Sequence, residues 1–443
     1  MNWDQLLSDR RFGRDDKIGP AKSTETNRTH FEADYDRIIY SEPFRRLSKK
    51  TQVHPFPQND HVRTRLTHSL EVASVGRSLA KRVASELRQR GKITGQQAAD
   101  LTKVVEAACL AHDIGNPPFG HAGEHAIREW VQANDQEVFG QLTGQIRNDL
   151  ICDFFYFEGN AQAFRIAARA NNPQTGYLRL TLATLATMQK YPWPSSDRRT
   201  AEKGKCGFFS TEQGMYLDLA RALGLEHKGR VARHPLSFLV EAADDISYSV
   251  ADPEDAVKVG ILSSPEVIDL YRKFAPKYSG DDHGNVAFMR GIAVGSLVDE
   301  FLAVFMDDYD AIISGQREKD LKSDLSGDMK TAFKRSKEIY ASTIFAERSK
   351  IASEIGAYKA IGRIIRALSR AARTVVDNGG SVDDSSFVAK RALELCWDRE
   401  YLRRAQESGD SAGYAWWLHQ ILDYIAGLTD DFARRISREI EGV

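Results

Sequence analysis

Apolar residues recur at three- and four-residue spacing through most of this chain, which predicts a mainly α-helical fold. The segment 67–91 shows this period and stops at a glycine, as a helix on the surface of a core does. The segment 99–115 is more apolar and is expected to be a central helix. Strand signals are few and short, around Val53 and at 207–209. We therefore expect an all-α protein.

The same period predicts further helices at 121–134, 161–171, 180–191, 236–251, 353–376, 387–400 and 414–437. Pro253 predicts that one helix ends just before it and that another begins, with acidic residues in its first turn.

Composition excludes several classes of protein. The 443 residues are 42% hydrophobic, enough for a large core, and the net charge of −1 means that any anion site must be local. The four cysteines have no CxxC spacing, which argues against a disulfide framework or a thiolate zinc site. The charged N-terminal segment is unlike a signal peptide, and no apolar run approaches the ~18 residues of a membrane span. We expect a cytoplasmic protein without membrane contact.

Histidines are concentrated at one end of the sequence: seven of the 11 lie within the first 125 residues. His112 and Asp113 stand together where the apolar segment 99–115 stops. Adjacent helical side chains point about 100° apart, so both can reach one metal ion only if it lies over the helix end. His68 upstream and Asp244 downstream complete a mixed nitrogen and oxygen ligand set. Such a set suits Mn²⁺, Mg²⁺, Fe²⁺ or Zn²⁺.

Two further patterns suggest chemistry, each with a simpler alternative. His121 and Glu124 are three residues apart, so the carboxylate can orient the imidazole for proton transfer, or the pair can only cap a helix. Asp244, Tyr248 and Asp252 share one helical face. This pattern favours a functional site, and the simpler alternative is a row of exposed acidic residues that stabilises the helix.

The N-terminal region is rich in basic residues. Arg65 is considered separately, because it lies three positions before the candidate metal ligand His68. For the rest, a solvated surface is as good an explanation as a binding function. These residues are Arg10, Arg11, Arg14, Lys17, Arg45, Arg46, Lys49, Lys50 and Arg63.

Ordered motifs along nearly the whole chain resemble the deoxyguanosine triphosphate triphosphohydrolases, which are HD-domain phosphohydrolases. The motifs are FRRLSKKTQV (44–53), RTRLTHSLEV (63–72), AHDIGNPPFGHAGE (111–124), FEGNAQAFRI (157–166), LTLATLATMQKYPW (180–193), KCGFFSTE (205–212), EAADDISYSVADPEDAV (241–257) and DYIAGLTDDFA (423–433).

The resemblance implies a role for individual residues. The metal ligands would be His68, His112, Asp113 and Asp244, and the catalytic pair beside the metal would be His121 and Glu124. Arg65 would contact a phosphate, Gln52 would read the missing 2′-hydroxyl, Tyr248 would exclude a ribose, and Asp252 would bind the 3′-hydroxyl side of the sugar.

One position departs from the family pattern. Some relatives have a phosphate-binding lysine after the last metal aspartate, and this chain has Asp245 there. The triphosphate would then need other cations, for which Lys190, Lys205 and Arg348 are candidates.

The resemblance also implies an architecture and a reaction. We expect a basic N-terminal segment (1–60), an HD domain with the metal site (61–260), and a helical C-terminal extension (261–443) that completes the nucleotide pocket and makes oligomer contacts. The chain would form a homo-oligomer such as a hexamer. It would hydrolyse deoxynucleoside triphosphates, with dGTP favoured, to a deoxynucleoside and inorganic triphosphate, using Mn²⁺ or Mg²⁺.

Two alternatives use the same features. Another HD-type nucleotide phosphohydrolase or phosphodiesterase would keep the four ligands but release other products. A regulatory protein that binds single-stranded nucleic acid and keeps a residual metal site would use the basic N-terminal segment instead.

Overall fold

The computed structural model describes residues 1–13, 15–20, 28–52, 62–169, 178–339 and 348–442. The strand expected around Val53 falls outside these residues. Within them, the strands are two short antiparallel hairpins, Arg11–Phe12 with Ile18–Gly19 (β1, β2) and Glu226–His227 with Arg230–Val231 (β3, β4). At 207–209 there is only an isolated bridge between Phe208 and Pro194. The expectation of an all-α fold is confirmed.

The helices up to residue 260 are α1 (Trp3–Leu6), α2 (His30–Ile39), α3 (Glu42–Arg46), α4 (Arg65–Gln89), α5 (Gly95–Ala111), α6 (His121–Ala133), α7 (Asp135–Phe139), α8 (Gly144–Phe155), α9 (Gly159–Ala168), α10 (Leu182–Met188), α11 (Arg198–Lys203), α12 (Gln213–Ala222) and α13 (Ser237–Lys258). The later helices are α14 (Ser264–Phe274), α15 (Val286–Asp307), α16 (Tyr309–Ile313), α17 (Gly327–Ile339), α18 (Arg348–Asp377), α19 (Phe387–Cys396), α20 (Arg399–Glu407), α21 (Tyr414–Gly427) and α22 (Asp430–Glu441).

Side-chain caps fix where the two central helices begin. Thr64 precedes α4, and its hydroxyl accepts the amide of Thr67 while the Thr67 hydroxyl accepts the amide of Thr64. Thr94 and Gln97 form the same reciprocal pair at the start of α5. Each pair satisfies backbone donors that the first turn of a helix leaves unpaired. The start of α4 in turn sets the direction in which its first residues point.

The break expected at Pro253 is wrong, because α13 runs through this residue without ending. A proline inside a helix deprives the preceding turn of an N–H donor. Here other elements supply donors: the Tyr271 hydroxyl donates to the Val250 carbonyl, and Arg63 Nη1 donates to the Ala251 carbonyl at 3.2 Å. The carbonyl that loses its helical donor is that of Ser249, and these side chains bond to the next two carbonyls, so tertiary contacts that the sequence pattern does not reveal hold the helix at this turn.

The buried apolar side chains form two large cores. In the first core, α4, α5 and α13 pack on one another and on α2, α10 and α15. In the second core, the 30-residue helix α18, about 45 Å long, packs against α6, α19, α21 and α22. The predicted domain boundaries at residues 60 and 260 stay a prediction. No helix among the described residues is long and apolar enough to span a bilayer.

Candidate active site

The four residues predicted as metal ligands converge in a cleft of about 430 Å³. His68 lies in the first turn of α4, His112 is the C-cap of α5, and Asp244 lies near the middle of α13. Asp244 Oδ1 lies 3.0 Å from His68 Nε2 and 3.6 Å from His112 Nε2. Asp113 Oδ1 is 3.6 Å from the same His112 nitrogen. The packing of these helices in the first core therefore brings Asp244 against both histidines, and the ligand atoms of His68, His112 and Asp113 all lie within 4.8 Å of one another.

Neighbouring groups orient two of these side chains. The Cys109 carbonyl lies 2.7 Å from His112 Nδ1, so this nitrogen donates to it and Nε2 is the ring nitrogen that faces Asp244. Asp113 accepts from Arg65 Nη1 at 2.8 Å and from Asn116 Nδ2 at 2.5 Å. Hydrogen bonds of this kind, made by residues behind the metal ligands, fix the rotamers and the tautomers of the ligand side chains.

The spacing and protonation of the cluster fit a divalent cation. Two ligand atoms bound ~2.1 Å from one ion and at right angles to each other are ~3.0 Å apart, close to the separations found here. Burial would raise the pKa of Asp244, but the hydrogen bond with His68 and the charge of His112 outweigh it and lower the pKa. Burial likewise opposes ionisation of Asp113, and Arg65 reverses that effect. Both carboxylates are thus negative, as metal ligands must be.

His121 and Glu124 form a hydrogen-bonded pair in the first turn of α6, at the edge of the same cleft. His121 Nδ1 lies 2.9 Å from Glu124 Oε2, and the other carboxylate oxygen accepts the Gly159 amide at 2.8 Å. Burial would raise the pKa of Glu124, yet the bond from His121 and the charge of Lys205 lower it to about 2. The imidazole itself is 74% exposed. A fixed anion therefore orients a solvent-accessible histidine.

Two glycines permit the close packing around this site. A Cβ atom on Gly115 would lie 2.2 Å from the Gly159 carbonyl oxygen, where the turn after His112 meets α9. Gly120 has a φ of +60°, and a Cβ there would lie 2.5 Å from Arg65 Nη2. A larger residue at Gly115 would push the loop 112–120 away from α9, whereas at Gly120 it would strain the backbone and displace the Arg65 guanidinium.

The predicted substrate residues differ in how close they lie to the cleft. Gln52, Arg65 and Tyr248 line it, and no donor among the described residues reaches the buried Oε1 of Gln52. Burial and the nearby Asp252 raise the pKa of Tyr248, so its hydroxyl stays protonated. Asp252 itself is buried two turns beyond Asp244 and is not among the residues that line the cleft. A contact between Asp252 and a sugar stays a prediction.

Two of the cations considered for the triphosphate also line the cleft. Lys190 is paired with Glu241 at 2.8 Å, and Lys205 is paired with Glu158 at 2.7 Å. Arg348 begins α18, and its side chain lies outside the described residues. Asp245, at the departing position, pairs with Lys322 at 2.5 Å.

Sequence reasoning gave no role to three residues that the structure brings to the site. Asn116 contacts Asp113, Lys50 is buried behind it, and Asp430 lies on the opposite wall of the cleft. Asn116 could have been suspected, because an asparagine three residues after an aspartate in a turn can bond back to it. Asp430 carries no such local signal, since it is 317 positions from Asp113 in the numbering.

Comparison with known proteins now places the chain in a family. Residues 65–172 match the HD domain family. A "Deoxyguanosinetriphosphate triphosphohydrolase-like protein" of Pseudomonas aeruginosa is 39% identical over 100% of this chain and 99% of its own length. A Synechocystis protein with the same description is 36% identical over the full length of both. The chain belongs to the deoxyguanosinetriphosphate triphosphohydrolase-like family.

A "Deoxyguanosinetriphosphate triphosphohydrolase" of Yersinia pseudotuberculosis is 35% identical to this family member over 67% of the chain and 68% of its own length. The family predicted from the sequence motifs is therefore confirmed. Together with the HD domain, membership of the deoxyguanosinetriphosphate triphosphohydrolase-like family supports a nucleotide phosphohydrolase.

Proposed function

We propose that the protein hydrolyses deoxynucleoside triphosphates, with dGTP favoured, to a deoxynucleoside and inorganic triphosphate. The observation that carries the proposal is the convergence of His68, His112, Asp113 and Asp244 beside the His121–Glu124 pair. The names of the relatives support a nucleotide as the substrate.

The cluster of His68, His112 and Asp113, together with Asp244 beside both histidines, would hold Mn²⁺ or Mg²⁺, with Fe²⁺ and Zn²⁺ as further candidates for a mixed nitrogen and oxygen set. A divalent ion bound there supplies a Lewis acid for the α-phosphoryl group and lowers the pKa of water.

In the proposed reaction, a water oxygen forms a bond to the α-phosphorus and the bond between phosphorus and O5′ breaks. One water proton is released and O5′ gains a proton, which yields the deoxynucleoside and triphosphate. His121 can move one of these protons through Nε2, because Nδ1 is occupied by Glu124. The orientation that Glu124 gives to His121 serves transfer of either proton, that of the attacking oxygen or that of the leaving oxygen.

Charged side chains of the cleft would bind the triphosphate. The Arg65 guanidinium donates to Asp113 through Nη1 and lies against Gly120, so it can contact a phosphate that approaches the metal ligands. Lys190 and Lys205 would add positive charge along the cleft, each exchanging part of its present ion pair for phosphate oxygens.

Selection for deoxyribose would come from Gln52, Tyr248 and Asp252. Gln52 and the ring of Tyr248 line the cleft, where a 2′-hydroxyl would need room and a partner. Asp252 would interact with the 3′-hydroxyl side from behind Tyr248. A homo-oligomer such as a hexamer, a cytoplasmic location, and the division at residues 60 and 260 belong to the same proposal.

The decisive assay incubates metal-reconstituted protein with each of the four dNTPs, singly and mixed, and identifies the products. Release of deoxynucleoside and triphosphate from dGTP supports the proposal, whereas orthophosphate or a nucleoside monophosphate supports another HD-type phosphohydrolase. Mixtures are needed because activation by a second nucleotide would be seen only there.

The nucleic-acid alternative has less support. Of the basic N-terminal side chains, Arg11 pairs with Asp34 at 2.5 Å, Arg63 pairs with Asp255 at 2.6 Å, and Lys50 is fully buried. These cations are engaged inside the protein. Salt-dependent retention of a labelled single-stranded oligonucleotide tests whether the remaining basic residues bind it.

A further inference from the structure

Asp430, the first residue of α22, connects the second core to both sides of the catalytic cleft. Its Oδ1 accepts the Phe119 amide at 2.8 Å, and its Oδ2 accepts the Thr51 amide at 3.0 Å. The side chain is buried, with 2% of the residue exposed. Charge-assisted bonds from backbone amides to a buried carboxylate are among the stronger hydrogen bonds in proteins.

Each of the two amides lies next to a proposed active-site residue. Phe119 has a φ of +66° and is followed by Gly120 and then by His121. Thr51 precedes Gln52 and forms an antiparallel bridge with Thr64, the cap of α4. Asp430 thus bonds to the backbone of two segments that both meet Arg65: the Lys50 carbonyl accepts the Arg65 amide, and the Arg65 guanidinium lies against Gly120.

Lys50 makes a second connection between the same elements. Its buried ammonium donates to the Asn116 carbonyl and to the Ala426 carbonyl, both at 2.6 Å. Asn116 bonds to Asp113, while Ala426 lies at the end of α21. The backbone carbonyl of Lys50 accepts the Arg65 amide at 3.2 Å.

These bonds join parts of the chain that no local pattern would bring together. The loop 112–120 begins in the first core with Ile114, whereas Phe119 packs on the second core, to which Ala426 and the helix of Asp430 belong. Phe119 and Asp430 are 311 positions apart. The loop makes turn bonds of its own, such as that from the Gly120 amide to the Pro117 carbonyl at 3.2 Å, but at Phe119, where the positive-φ pair begins, the backbone amide bonds to Asp430 instead.

We propose that Asp430 is a positioning residue of the active site: with Lys50, it holds the loop that carries His121 and the segment that carries Gln52 at a fixed distance from the metal ligands. It acts through the backbone and does not touch the reacting atoms. The inference rests on the proposed function where it concerns catalysis, but its structural part can be measured without substrate.

The test compares Asp430→Ala and Asp430→Asn with Asp431→Ala in the full-length, metal-loaded protein. Asp431 is the next residue of α22, is exposed, and carries the same charge in the first turn. Its replacement therefore controls for the loss of a negative charge at a helix N-terminus. Asparagine keeps one acceptor oxygen and loses the other, so its effect should be intermediate.

For Asp430→Ala we expect kcat with dGTP to fall by about 10- to 100-fold while metal content stays unchanged, because small displacements of catalytic groups have costs of this size. Amide hydrogen exchange should accelerate in peptides covering 116–122 and 50–52, and not in peptides from α4 or α13. Asp431→Ala should stay within about twofold of the wild type in kcat.

Lys50→Met provides the second arm, since it keeps the length of the side chain and removes both bonds of the ammonium. It should accelerate exchange in the same two regions. If Asp430→Ala does not fold, Asp430→Asn and Lys50→Met decide the question by the same readouts.

The proposal is overturned if the folded Asp430 variants keep wild-type exchange at 116–122, or if exchange rises equally throughout the chain. It is also overturned if kcat is unchanged while that exchange rises. If the wild type does not hydrolyse dGTP, the proposed function fails, and the exchange measurements still decide whether Asp430 holds the two segments.

Discussion

The two walls of the cleft are built in different ways. On one wall, His68, His112 and Asp244 come from α4, α5 and α13, which pack together in the first core. On the other wall, His121 and Glu124 begin α6, whose apolar face packs on α18 in the second core. The helices of the first wall pack on one another, whereas the helix of the second wall packs on α18, from the far end of the chain. The proposed metal ligands and the proposed catalytic pair are therefore carried by different groups of helices, joined through the bonds of Asp430 and Lys50.

The largest loss of activity should come from replacing a proposed metal ligand of the first wall. We expect His112→Ala to lose the bound metal and to lower hydrolysis by at least ~10⁴-fold, at or beyond the upper end of the cost of removing an acid–base group. Metal analysis of the purified protein and the rate with saturating Mn²⁺ check this result. Chelation followed by re-addition of Mn²⁺ should abolish and then restore activity in the wild type. A variant that retains stoichiometric metal and normal turnover would contradict the ligand assignment.

A smaller effect should come from the second wall. His121→Ala removes the exposed imidazole and leaves the four proposed metal ligands in place, so we expect kcat to fall by ~10²–10⁴-fold with metal content unchanged. His125→Ala is the matched control, because His125 lies on the same helix, is exposed, and is not among the cleft-lining residues. Equal losses in both variants, or metal loss in His121→Ala, would remove the distinction between the walls.

The smallest effect should appear in the stability of the first core, away from the cleft. His234 is buried, its Nε2 donates to the Leu6 carbonyl at 3.1 Å, and its Nδ1 accepts the Leu236 amide at 3.2 Å. Burial lowers its pKa to about 4, from 6.5, although the bond to Leu6 opposes the shift. Between these values the unfolded chain binds a proton that the folded chain does not, so stability falls as the pH falls from 6.5 to 4, by about 3 kcal/mol.

Urea unfolding at several pH values checks this effect in the wild type and in His234→Gln. Glutamine can donate and accept but does not titrate, so the pH dependence in this window should become flatter. His283→Gln, at an exposed histidine, should leave the slope unchanged. Identical slopes in the wild type and His234→Gln would show that His234 is not the group responsible.

Much of the fold and of the first wall could be predicted from the sequence. The three- and four-residue spacing of apolar residues predicted α4, α5 and α6 to within a few positions, because that period reports which side of a helix is buried. The doublet at the end of α5 indicated a site over a helix end, and His68 and Asp244 do lie within 3.0 Å of each other. Prediction failed at Pro253, where Tyr271 and Arg63 supply bonds from distant elements.

The sequence by itself determined which helices form and which side chains are candidates to bind a metal, because amphipathic period, caps and donor types are local properties. Only the tertiary structure decided how the second wall meets the first. Asp430 and Lys50 reach the active-site loop through bonds to backbone atoms, and backbone atoms are the same in every residue. Contacts of that kind have no signature in the sequence, so folding of the whole chain is needed to reveal them.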